Sequence, residues 1–415
     1  MRVHIASDSP AGANNGVSVA TSGLEVGLRE RGHSVSVLGP SVGEPHPSAQ
    51  FGQPLAARFI VLTGQRNWPA VGFVSPLRVR RWLKLQEPDI VQIQTIGPIG
   101  LATLLAAYSL RIPTILASHF QPDNILTTRF ARGWRMLGAA SAIDLAFAFL
   151  SQSASATVAP TYEALCRIES GANRKVHEPH VISNGVTLPR GARIAESHVQ
   201  LRGTATASSP LRLIYVGRLD RDKSVDVLLR AVAIASTSVA VHLTIVGEGS
   251  QRGALERLTA RLGIVSSTSF MGAVPEPVKW SLLARAHVFC MPSAVENESI
   301  ATLEAMAVGL PLLVADRGGL RSLCQSGVNG ERFTPGDSTQ FATLMVEMHF
   351  QEAARVSMGL ASRTIVEGRS SCRTVAAYVA LYEHVCAAPI RSSGAVPMFR
   401  TRPGPADPLP KGRGR

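Results

Sequence analysis

Short apolar runs alternate with helix-length segments along most of the chain. Arg2–Ala6 reads as a strand, Ser18–Glu30 as a helix and Ser34–Leu38 as a strand, in βαβ order. Further short buried strands are expected at Ile90–Gln94, Thr114–Ser118, Ala156–Ala159 and His180–Ser183. A polar stretch with Gly and Ser, Pro189 to Pro210, interrupts the pattern. A second series follows at Leu211–Val216, Val241–Val246, Ser269–Met271, His287–Met291 and Leu312–Ala315. Alternation of this kind predicts two doubly wound, Rossmann-like α/β domains. The expected division is an N-terminal domain at 1–190, a linker at 191–210 and a C-terminal domain at 211–372. A last helix at 373–387 and a disordered Pro-, Gly- and Arg-rich basic tail at 388–415 follow.

Composition agrees with two ordinary domains: 415 residues, 45% hydrophobic, carry enough apolar mass, and 17% charged is too little for a disordered chain. No run approaches the roughly 18 uncharged apolar residues of a membrane span; Leu137–Leu150 is short and carries Asp144. Met1–Ala6 reads as a strand and not as a secretory signal, which predicts a cytoplasmic protein. Five cysteines without a Cys-x-x-Cys pair argue against a disulfide framework or zinc site and are expected to be buried thiols.

The formal charge is +13, of which residues 391–415 supply +5 and residues 51–150 supply +6. A basic N-terminal half suits nucleic acid, an anionic membrane or a phosphorylated substrate, but no nucleic-acid-reading motif accompanies it. With 37 Arg against 5 Lys, coding bias and ordinary surface charge remain an alternative. The glycines Gly247, Gly249 and Gly253 miss the dinucleotide spacing by one residue. Walker, zinc-hydrolase and serine-hydrolase motifs are absent. Asp220 and Asp222 could hold a cation, but beside three basic residues they read better as a helix-entry turn, so no metal site is expected.

The strongest signal is the segment Pro292–Pro311, a strand, loop and helix in sequence. Asn297 or Ser299 can cap a helix over about Ile300–Val308 that Gly309 ends and Pro311 cannot continue. The N-terminus of such a helix suits a diphosphate, and Glu304, one turn in, can reach ribose hydroxyls. Glu296, in the loop, is free to meet a sugar. The alternative is a capped helix with an ordinary surface glutamate.

Here the chain resembles the retaining GT-B glycosyltransferases of the group 1 type, family 4, related to glycogen and sucrose synthases. Glu296 and Glu304 match the Glu-x7-Glu motif of that family. Asn15-Gly16-Val17, Arg31-Gly32-His33, Ser183-Asn184-Gly185-Val186, Gly217-Arg218-Leu219 with Lys223, Val246-Gly247, Phe270-Met271-Gly272 and Gly318-Gly319 match in order. The resemblance implies two domains facing a central cleft, with the last helix crossing back to brace both. It implies a nucleotide-diphosphate sugar as donor substrate, no cofactor and no metal. Arg218 and Lys223 would neutralise the leaving diphosphate, Glu296 would hold the sugar, and His119 would stand near the reacting sugar. Gly16, Gly217, Gly247, Met271, Ser299, Ile300 and Glu304 would line the donor site. Two departures stand out: Glu298-Ser299 replaces the usual Phe-Gly, and Ser322 replaces a usual Glu.

The segment 119–124 resembles glycolipid-forming members such as diacylglycerol glucosyltransferases. Arg129–Leu137 interleaves cations with Phe130, Trp134 and Met136 as an interfacial helix would. The expected acceptor is therefore a membrane lipid or lipid-like alcohol, met at the anionic inner face of the plasma membrane; a soluble small molecule is the alternative. Rival classes are a sugar-nucleotide epimerase and a non-catalytic nucleotide-sugar-binding protein.

Overall fold

A computed structural model describes residues 1–9, 15–40, 58–60, 71–119, 139–187 and 209–387. The N-terminal half contains β1 (Arg2–Ala6), β2 (Ser34–Leu38), β3 (Arg58–Ile60), β4 (Val71–Phe73), β5 (Ile90–Ile93), β6 (Thr114–Ala117), β7 (Ala156–Ala159) and β8 (Pro179–Val181). Six of these form a parallel sheet in the order β2-β1-β5-β6-β7-β8, and β3 and β4 form an antiparallel pair. The C-terminal half contains β9 (Leu211–Val216), β10 (Val241–Val246), β11 (Thr268–Gly272), β12 (Val288–Met291), β13 (Leu312–Ala315) and β14 (Gly330–Phe333). Their order is β11-β10-β9-β12-β13-β14, all parallel.

Strand order reverses beside β1 and β5 in the first sheet and beside β9 and β12 in the second. In open parallel sheets, loops leaving the C-terminal strand ends at such points flank a ligand crevice. The central strands β5, β6, β7, β12 and β13 are buried at every residue, as strands covered on both faces must be. The pattern of apolar runs misses β14, whose middle residues Glu331 and Arg332 are only partly buried. An edge strand tolerates charge there, so it leaves no apolar run to detect.

The last helix begins two residues earlier than expected, at Ser371, and ends at Ala387. Its residues Val375, Tyr378, Leu381, Tyr382 and Val385 pack with Val3, Ile5, Leu24 and Leu28 in one buried cluster of the N-terminal half. Each such side chain stabilises the contact by roughly 1.5–3 kcal/mol. Polar bonds add register: Tyr382 donates to Gln92 Oε1 (3.2 Å), and Arg31 donates to the Cys372 carbonyl (2.9 Å). The C-terminus of the described chain is thereby fastened to the first sheet.

One expectation is corrected. Cys290 and Cys324 are buried, but Cys372 and Cys386 are exposed and Cys166 is intermediate, because the last helix turns one side to solvent. Among the described residues, no helix is long and apolar enough to cross a membrane. The segments 191–208 and 388–415 expected as linker and tail lie outside the described residues, as does Arg129–Leu137.

Candidate active site

Gly217 and Arg218 follow β9. The wholly buried Tyr215 donates its hydroxyl to the Arg218 carbonyl (2.7 Å), and burial raises its pKa well above the ordinary phenol range. Arg218 pairs with Asp220 and, at 3.2 Å, with Asp222. Asp220 also accepts from the Ser250 amide (3.0 Å) and hydroxyl (2.8 Å), tying this loop to the one after β10. The two aspartates thus act as a brace. Among the described residues, no group of three or more His, Cys, Asp or Glu is placed to hold a metal. Gly247, with φ +134°, packs so closely that a Cβ there would come within 1.9 Å of the Gly217 carbonyl oxygen.

The loop after β12 carries Glu296. Its carboxylate is not free, contrary to expectation: Lys223 Nζ lies 2.8 Å from Glu296 Oε1 and 3.4 Å from Asp222. Burial explains the pairing, since a carboxylate side chain only 13% exposed requires a partner. Ser299 caps the helix Ile300–Ala307, accepting from the Thr302 amide (3.2 Å). The Asn297 carbonyl instead accepts the Thr161 hydroxyl (2.9 Å), a bond from one half of the chain to the other. The first amides of this helix, at Ile300 and Ala301, have no acceptor within it. Gly319 donates to the Glu296 carbonyl (2.9 Å), and a Cβ at Gly319 would come within 1.8 Å of the Asn297 oxygen, which accounts for the Gly-Gly pair.

Glu304, one turn along, is buried and pairs with Lys279 (2.7 Å), which also bonds Glu276 (2.7 Å). Burial pushes the Glu304 carboxyl above the usual carboxylate range. Burial opposes the Lys279 charge, but Glu304 and Glu276 outweigh it and raise that pKa. Lys279 was missed from sequence. No sequence signal marks it: the pairing of Lys279 with Glu304, like that of Lys223 with Glu296, appears only in the structure. Met271 lies on β11, 44% exposed.

From the N-terminal half, Gly16 opens the helix Gly16–Glu30, capped by Asn15. A Cβ on Gly16 would lie 3.8 Å from Ile300 Cδ1, so two helix N-termini, one from each half, meet across the crevice. His119 stands just past β6, its Nε2 2.6 Å from Gln94 Oε1, which places the proton on Nε2. Burial lowers its pKa to about 4, outweighing a raising effect of the Asn184 side chain, so the ring is neutral near pH 7.

This architecture matches solved glycosyltransferases along nearly its whole length. Sucrose-phosphate synthase from Thermosynechococcus elongatus superposes with a TM-score of 0.71 at 16% identity, over 93% of this chain and 99% of that one. Anabaena HepE in complex with UDP and glucose gives 0.64 at 17% identity, over 92% and 99%. The fold is GT-B. The sequence model for Glycosyltransferase Family 4 matches residues 14–190, and that for Glycosyl transferases group 1 matches residues 200–363. The chain belongs to the group 1 glycosyltransferases. Within this family it is 28% identical to a GDP-mannose-dependent alpha-mannosyltransferase of Mycobacterium tuberculosis, over 89% of this chain and 93% of that protein. It is 28% identical to a phosphatidyl-myo-inositol mannosyltransferase of Propionibacterium freudenreichii, over 83% and 86%. Its match to the sulfoquinovosyl transferase SQD2 of Arabidopsis thaliana, 25% identical, covers 82% of this chain and 65% of that protein.

Proposed function

We propose that this group 1 glycosyltransferase moves a hexose, with retention of anomeric configuration and without a metal, from a nucleotide-diphosphate sugar to the hydroxyl of a membrane lipid or lipid-like alcohol. The observation that carries the donor reading is the meeting of Gly16 and Ile300 across the crevice, beside a helix whose loop holds Glu296 against Lys223. A diphosphate at the Ile300 end would meet free amides and the helix dipole. Lys223 and Arg218, now held by carboxylates, would exchange those partners for phosphate oxygens as negative charge develops. Glu296, released from Lys223, would hold sugar hydroxyls. The acceptor oxygen would attack the face from which the diphosphate departs.

The lipid reading rests on surface chemistry and on relatives. On the helix Pro76–Gln86, Leu77 (71% exposed) and Leu85 (81% exposed) stand among the exposed cations Arg78, Arg81 and Lys84 on one face. Exposed leucines among cations suit an anionic leaflet. The mannosyltransferase of Propionibacterium freudenreichii, by its name, acts on a phosphatidylinositol. The test is a panel of nucleotide sugars incubated with lipid extracts and with soluble alcohols, the product anomer being read by NMR. Retention with a lipid acceptor is the expected result. An inverted product overturns the retaining mechanism, efficient transfer only to soluble alcohols overturns the lipid acceptor, and an epimerised nucleotide sugar without glycoside overturns the transferase itself.

A further inference from the structure

Glu298 lies between Glu296 and the helix cap Ser299, yet its carboxylate turns away from solvent. The side chain is fully buried. One oxygen accepts the Ser183 hydroxyl at 2.8 Å and the other accepts the Asn184 amide at 2.6 Å, both on the segment after β8. Arg369 Nε approaches to 3.7 Å, and the same guanidinium donates to the Ser322 carbonyl at 3.0 Å. Two of the three positions at which this chain departs from the family pattern, 298 and 322, thus meet Arg369, the second through its backbone carbonyl. Asn184 is held to Glu298 by its backbone amide, and its side-chain Oδ1 is buried without a hydrogen-bond partner. Thr374, from the last helix, donates to the Ser183 carbonyl at 3.0 Å and fixes the same segment from its other side.

Resting on the transfer reaction proposed above, we propose that Glu298 is a positioning residue that locks the loop of Glu296 to Ser183 and Asn184 and so holds the two halves of the cleft in one register. Hydrogen bonds to an ionised acceptor are short and about twice as strong as neutral ones, which suits a carboxylate for holding two halves in one register. The Phe usual at this position offers no acceptor. The charged or titratable groups facing Glu298 are Arg369, after the helix Glu352–Glu367, and Tyr378, on the last helix. Burial raises the Glu298 carboxyl to about 7, against the two hydrogen bonds and Arg369, so its charge changes within the working range of pH.

The experiment compares the full chain with Glu298→Gln, Glu298→Ala and Ser183→Ala. Glu298→Gln retains an acceptor for Asn184 and is expected to lower kcat about tenfold while donor KM and nucleoside diphosphate affinity stay within about twofold; Glu298→Ala is expected to lose more. Wild-type kcat should rise as pH passes through about 7, and this rise should vanish in Glu298→Gln. Ser183→Ala and Glu298→Gln should be non-additive in kcat. A parallel loss of kcat, affinity and Tm, or an unchanged pH profile in Glu298→Gln, overturns the positioning role. The backbone amide resonance of labelled Asn184, which donates to Glu298, gives a readout that needs no turnover. It should shift in Glu298→Gln; if it stays in place, the lock is refuted even where no donor is turned over by any form of the protein.

Discussion

Lys223 and Glu296 form a 2.8 Å ion pair that joins the turn after β9 to the loop after β12, and the proposed reaction requires substrate to separate them. Lys223→Ala should leave Arg218 alone to meet the diphosphate and lower kcat by about 10²–10³, the usual loss on removing one donor from a developing anion. Glu296→Ala leaves Lys223 its second partner, Asp222 at 3.4 Å, so the fold and nucleotide affinity should survive while transfer falls. Steady-state kinetics with calorimetric nucleotide binding check both; equal losses of nucleotide affinity in the two variants contradict these roles.

Glu304 and Lys279 form the second buried pair. Glu304→Ala should weaken free nucleoside diphosphate about 10- to 100-fold, the worth of one or two bonds to a charged acceptor. The same substitution strands the Lys279 ammonium with Glu276 alone, so Tm should fall as well. The double variant Glu304→Ala/Lys279→Met should recover Tm without recovering affinity, because it removes the stranded charge but not the need for a ribose partner. Recovery of both would place the nucleotide elsewhere.

Chelation separates the cationic mechanism from a metal-assisted one. In the proposed mechanism Arg218, Lys223 and the helix end would supply the positive charge that a divalent ion would otherwise provide. Donor hydrolysis and transfer should continue in excess EDTA. Complete loss of turnover, restored by magnesium or manganese, would remove the metal-free proposal.

His119 predicts a pH dependence of stability. Burial lowers its pKa from 6.5 to about 4, so between those values the unfolded chain binds the proton that the folded chain refuses. Its contribution to stability is present above pH 6.5 and is lost as pH falls toward 4. The wholly buried His4, lowered to about 3 by burial, acts in the same direction. Thermal unfolding of His119→Gln should fall less steeply than wild type between these limits; identical slopes would show that the ring is not shielded from water.

The helix Pro76–Gln86 predicts salt-sensitive attachment to anionic vesicles. Each Lys or Arg near such a surface contributes about 1 kcal/mol, so Arg78, Arg81 and Lys84 suffice for measurable binding. Flotation should persist after deletion of residues 391–415 and be lost in Arg81→Glu/Lys84→Glu. Persistence in the charge-reversed, tail-less protein would assign binding to another surface.

The sequence by itself determined the two parallel sheets and the helix Ile300–Ala307, because four-residue apolar runs and a Ser cap act locally and leave direct traces in residue order. It also named Glu296 and Glu304 from the loop and helix that carry them, and Arg218 and Lys223 through the family resemblance. It did not determine their partners. Lys223 meets Glu296 across 73 residues, and Lys279 meets Glu304 across 25; Ser183 meets Glu298 across 115. Such pairs form only where strand order brings separate loops to one edge, and no periodicity records that. The departure at Glu298 is visible in the sequence only as a changed letter. Tertiary structure turned it inward, since a buried carboxylate is tolerated only where donors converge, and Ser183 and Asn184 converge there.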